Sequence, residues 1–74
     1  MNLHEFYVGI KYWSDDDLYA CLAAIDAKTD ELYPMYYDSL RRYSEEDSCV
    51  RGLMEQIEDY ELMNSILSNE LNNR

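Results

Sequence analysis

One histidine, two cysteines and sixteen carboxylates are the groups in this 74-residue chain from which a reactive site would have to be built. A Ser–His–Asp or Cys–His relay has only His4 to use, close to the N-terminus. Zinc wants four nitrogen or sulfur ligands, and His4, Cys21 and Cys49 stand at no recognised ligand spacing. The run Asp15, Asp16, Asp17 offers oxygens to calcium. An EF-hand loop, however, alternates its ligands around a central glycine and closes on a glutamate, and neither follows. No GxGxxG, Walker lysine or HExxH is present. Carboxylate pairs for acid–base work are abundant, but so short a chain does not promise the pocket that would tune them. The expectation is a protein that is not an enzyme and holds no cofactor or metal.

The carboxylates matter more as a charge distribution. Sixteen acids face six bases, a net charge of −10 at pH 7. That balance argues against direct binding to nucleic acid, which calls for a basic patch. Disordered acidic chains are poor in aromatics, whereas 14% of this one is aromatic, so a folded domain is expected. No stretch approaches the run of about 18 apolar residues that spans a membrane. No basic segment followed by an apolar run opens the chain, so a reducing, cytoplasmic setting with two free thiols is expected.

The elements that must position these groups read as helices. Ser14 is a good N-cap, with Asp15, Asp16 and Asp17 in the positive first turn and Trp13 and Leu18 at the staple positions. Leu18, Cys21, Leu22 and Ile25 recur at helical spacing, which predicts a helix from Asp15 to Lys28 or Leu32. Pro34 then suits the first turn of a new, short helix carrying Tyr36, Tyr37, Leu40 and Tyr43, with Arg41 and Arg42 in its last turn. An alternative start is Thr29 as N-cap with Asp30 and Glu31 behind it. Ser44 as N-cap with Asp47 three residues on opens the longest helix, striped by Val50, Leu53, Met54, Ile57 and Tyr60. Leu62 and Ile66 fall off that stripe, so the helix either breaks near Tyr60 or carries a second apolar face. Residues 3–12 admit two readings. Asn2 with Glu5 imitates a capping box ahead of Leu3, Phe6, Tyr7 and Ile10, yet alternation from His4 to Tyr12 suits a lone strand. A strand has no evident partner, which favours helix. The fold class expected is all-α: one domain, a small compact bundle of three to four helices.

Many acids sit where helices are expected to start: Asp15, Asp16, Asp17, Asp30, Glu31, Glu45, Glu46 and Asp47. Capping accounts for their positions but not for the total. The stretch from Tyr43 to Glu61 alone holds Glu45, Glu46, Asp47, Glu55, Glu58, Asp59 and Glu61 against Arg51. Like charges within a Debye length of about 8–10 Å repel, and a small core carries that cost poorly. Tyr33, Tyr36 and Tyr37 cluster beside them. Tyrosine fills helical cores with its hydroxyl at the wet edge, but it also anchors interfaces and stacks on arginine.

The acid runs 15–17, 45–47 and 55–61 ("EQIEDYE"), with the overall charge, resemble the small phage-encoded nucleic-acid mimics, among them anti-CRISPR and anti-restriction proteins. That resemblance is one of composition over the whole chain and rests on no diagnostic motif. It implies a stoichiometric inhibitor in the host cytosol, whose carboxylates occupy the phosphate sites of a basic nucleic-acid-binding protein or nuclease complex. The expected contacts are Asp15, Asp16, Asp17, Glu45, Glu46, Asp47, Glu55, Glu58, Asp59 and Glu61, with Tyr33, Tyr36 and Tyr37 as aromatic anchors. The alternative is a helical adaptor or homodimer sealed through Leu62 and Ile66.

Overall fold

The computed structural model describes residues 2–74. The chain is all-α, as expected. Helix α1 spans Leu3–Gly9 and runs into a single 3-10 turn, Ile10–Tyr12. Helix α2 spans Asp15–Arg42 and α3 spans Ser48–Asn72. The last two are antiparallel: Tyr36 meets Met54, Asp26 meets Asn64 and Asp15 meets Arg74. A 28-residue helix is about 42 Å long at 1.5 Å per residue, and the protein measures 44 × 21 × 15 Å. The molecule is therefore a helical hairpin as long as α2, with α1 and the 3-10 turn folded against one end.

The N-terminal segment is helix, not strand. The Asn2 side chain accepts from the backbone N–H of His4 and Glu5, the arrangement that the capping pattern foretold. Ile10 anchors the segment, being 1% exposed. Phe6 meets Trp13 edge-to-face, with ring centroids 5.9 Å apart. Ser14 caps α2 as expected, accepting from the Asp17 N–H.

Three boundaries differ from the sequence reading. First, α2 does not end before Pro34 but runs through it to Arg42. Proline lacks the N–H that would bond the Asp30 carbonyl, and Asp30 is exposed, so water can satisfy that group. Second, the N-cap of α3 is Asp47, whose carboxylate accepts from the Cys49 N–H at 2.9 Å. Ser44 instead opens the connecting turn and accepts the Asp47 N–H through its carbonyl. Glu45 and Glu46 thus belong to that turn, and Asp30 and Glu31 to the middle of α2. Third, α3 does not break near Tyr60. Ile66 packs against the core, while Leu62 alone stands out, 51% exposed.

The largest buried cluster joins Ile10, Leu18, Ile25, Met63 and Leu67, with Leu3, Phe6, Cys21, Leu22, Tyr60, Ile66 and Leu71 packed around it. This is the end that α1 covers. Burial pushes the Cys21 thiol up, whereas Cys49 lies exposed, and both are free thiols. Arg74 fastens the same end. Its guanidinium donates to Asp15 Oδ1 (2.6 Å), the Trp13 carbonyl (2.7 Å), the Ile10 carbonyl and Glu70. Bonding to Asp15, chiefly, raises the Arg74 pKa above its usual value.

At the other end Leu32, Val50 and Ile57 are buried between α2 and α3 with no third layer over them. Midway, Ser68 Oγ donates to Asn64 Oδ1 and Asn64 Nδ2 donates to Asp26 Oδ1. One polar residue facing a helix partner fixes register better than another leucine would.

Candidate functional site: a tyrosine and carboxylate groove

Tyr33, Tyr36 and Tyr37 lie within two turns of α2, and i, i+3, i+4 spacing gathers them on one side. Across from them α3 presents Met54, Ile57, Glu58 and Glu61 at the same spacing. Together these residues line a shallow, open groove of about 240 Å³. The rings of Tyr33 and Tyr37 stack at 6.2 Å with 23° between planes, and Tyr36 tilts against Tyr37 at 5.6 Å. The Tyr33 hydroxyl donates to Glu61 Oε1, which pins that carboxylate across the groove. This bond raises the Tyr33 pKa above its ordinary value, with desolvation and the Glu61 charge adding to it. Tyr36 Oη approaches Met54 Sδ at 3.7 Å, a weak acceptor.

The groove continues in both directions. Toward the turn, Tyr36 and Met54 also line a hollow with Glu45, Val50 and Arg51. Toward the middle of the hairpin, Tyr33 and Glu61 share another with Ile25, Thr29, Tyr60, Asn64 and Ser65. On its outer bank Glu58 and Glu61 flank the exposed Leu62, and Glu55 lies beside Arg51 and Met54. Helix α1 does not overhang this flank. Met63, part of the core beneath α1, follows Glu58 by five residues, about 140° around α3.

The structure therefore brings Tyr33, Tyr36, Tyr37, Glu58 and Glu61 into one site, with Glu45 and Glu55 at its margins. It does not bring in the others. Asp15, Asp16 and Asp17 start α2 at the far end, about 25 Å from Tyr33 along the helix axis. Asp15 is also occupied by Arg74. Asp47 is spent on the cap, and Glu46 lies in the turn without lining the groove. Asp59 follows Glu58 by one residue and points about 100° away from it. Two contributors were missed by sequence reasoning. Met54 was assigned to the core stripe, yet it is 43% exposed and floors the groove. Arg51 joins it at the turn end. The available signal was the alternation of three- and four-residue steps among Val50, Leu53, Ile57, Tyr60, Asn64, Leu67 and Leu71, which leaves Met54 and Glu61 at the seam's edge.

The electrostatics single out this end. The five ion pairs among the described residues are Lys28–Glu31, Arg41–Asp38, Arg42–Asp38, Arg74–Asp15 and Arg74–Glu70. None uses Glu45, Glu55, Glu58 or Glu61. Among the described residues no three His, Cys, Asp or Glu side chains gather as a metal site would require. No described helix is long and apolar enough to cross a membrane. Comparison with protein-family models, with curated proteins and with solved structures finds no match to this chain.

Proposed function

We propose that this protein is a non-enzymatic inhibitor that binds a basic, nucleic-acid-handling protein and blocks nucleic-acid loading by charge mimicry. The observation that carries the reading is the groove itself. Three tyrosines and two carboxylates from separate helices share one open face, and none of that face's acids is in an ion pair. Carboxylates spaced along a helix offer basic side chains the anionic array that phosphates do, and the tyrosines supply the contact area that pure charge lacks.

The test is a tagged pull-down with a nuclease or CRISPR effector complex, washed at rising salt, followed by nucleic-acid loading of the captured complex. Stoichiometric loss of loading, reversed at high salt, is expected. The Glu55→Lys/Glu58→Lys double variant should lose capture while its far-UV helical signal persists. Capture that survives this reversal and high salt would instead favour an adaptor that binds through apolar contacts, with Leu62 as its most exposed aliphatic anchor.

A further inference from the structure

We infer that the groove is a receptor for arginine side chains, presented by a helix of the basic partner, and that it selects arginine over lysine. This inference rests on the basic-partner reading above and names the chemistry the site takes.

The walls of the groove differ in kind. One is aromatic, formed by the stacked pair Tyr33 and Tyr37 with Tyr36 tilted against it. The other is anionic, formed by Glu58 and Glu61. A guanidinium is a planar cation that stacks on an aromatic face while its edge forks onto carboxylate oxygens. An ammonium is a compact, strongly hydrated charge that gains from the carboxylates but little from the stack. The Tyr33 hydroxyl already holds Glu61 by Oε1, so the carboxylate is fixed before a ligand arrives and its other oxygen is left over. Fixing a receptor group in advance lowers the ordering cost of binding.

The lining holds one cation of the chain's own, Arg51 at the turn end, and among the described residues it forms no ion pair with Glu58 or Glu61. Arg41 and Arg42 turn to Asp38, and Lys28 turns to Glu31. A second copy of the chain is a poor occupant, because each copy carries a net charge of −10 and would place carboxylates against carboxylates. The shape favours a helical ligand. The channel runs parallel to two antiparallel helices from Arg51 to Ser65, about 21 Å at 1.5 Å per residue. A helix laid there meets it through side chains at i, i+4 and i+7.

The experiment titrates the full chain with labelled alanine-rich helical peptides bearing arginine at i, i+4 and i+7, and with their lysine counterparts. Affinity is read by fluorescence anisotropy at low and moderate salt. The arginine peptide should bind about fivefold more tightly than the lysine peptide, from stacking and forked hydrogen bonds together. Tyr37→Ala should erase the preference and Tyr37→Phe should keep it; Tyr37 is 57% exposed, so neither change should unfold the chain. Glu58→Gln with Glu61→Gln should weaken both peptides. Suppose instead that the two peptides bind equally and that Asp15→Asn, Asp16→Asn and Asp17→Asn together weaken them as much as the groove changes do. The attraction is then diffuse charge, which overturns the arginine receptor and leaves the basic-partner reading standing. Failure of both peptides to bind at low salt overturns both. A dimer in sedimentation that Met54→Asp dissolves would put a second copy in the groove and overturn the receptor.

Discussion

The two ends of the hairpin solve different problems with the same pair of helices. At the end that α1 covers, Leu18 and Leu67 are fully buried and Arg74 ties three segments together. At the turn end, Leu32, Val50 and Ile57 are buried between α2 and α3 alone, with no third segment over them. Charge divides the same way. Residues 29–61 hold ten of the sixteen acids but only three of the six bases. One end is built for stability. The other spends apolar and charged groups on a surface that does not stabilise the chain by itself. In a domain this small, where the whole stability is about 5–15 kcal/mol, such a division leaves little margin.

The contrast breaks most visibly through large-to-small substitutions. Leu67→Ala at the covered end should cost about 3–4 kcal/mol, because the surrounding side chains of three segments cannot collapse into the space. Leu32→Ala at the turn end should cost about 2 kcal/mol, since two helices can close up and water can enter. Urea melts of the two variants check this, and equal losses would show that the ends do not differ. Next in size is Pro34→Ala. Restoring the N–H to the Asp30 carbonyl in mid-helix should stabilise the protein by about 1–2 kcal/mol, with slower amide exchange confined to the turn end. Acceleration of exchange there, or loss of stability, would mean that the proline is needed to shape α2. The smallest effect sharpens the comparison at a single bond. The Tyr33 hydroxyl is held above its ordinary pKa by donating to Glu61. Since the folded value lies above the unfolded one, the bond contributes fully below pH about 10 and is lost as pH rises through the folded value. An ultraviolet titration should contain a late tyrosine step that Tyr33→Phe removes.

Much of the covered end was legible in the sequence. Ser14 with the three aspartates that follow it fixes the start of α2, and Leu18 and Ile25 fell at helical spacing where the core lies. The turn end was less legible, for local reasons. Proline signals a break when read alone, yet an exposed carbonyl one turn earlier makes a continuous helix tolerable. Ser44 and Asp47 compete as caps three residues apart, and the longer reach of neither is decided by type alone. The site was half legible. Its tyrosines stood out as a cluster, but their pairing with Glu58 and Glu61 spans more than twenty residues and depends on the register of two helices. The acids at 15–17 looked equivalent to those at 55–61, and only the fold separates them.

The short connection between α2 and α3 also sets an order of events. Contacts near it join residues 18 to 28 apart, such as Tyr36 with Met54 and Tyr33 with Glu61. Those at the far end join residues about sixty apart, Asp15 with Arg74 and Trp13 with Arg74. Bringing the more distant pairs together costs about 1 kcal/mol more in chain entropy, by the logarithmic dependence on loop length. Chain entropy thus favours closing the hairpin from its turn, with the tyrosine end forming before the covered end. On that order the well-packed end closes last, and substitutions there, such as Leu67→Ala, should speed unfolding more than they slow folding in stopped-flow measurements.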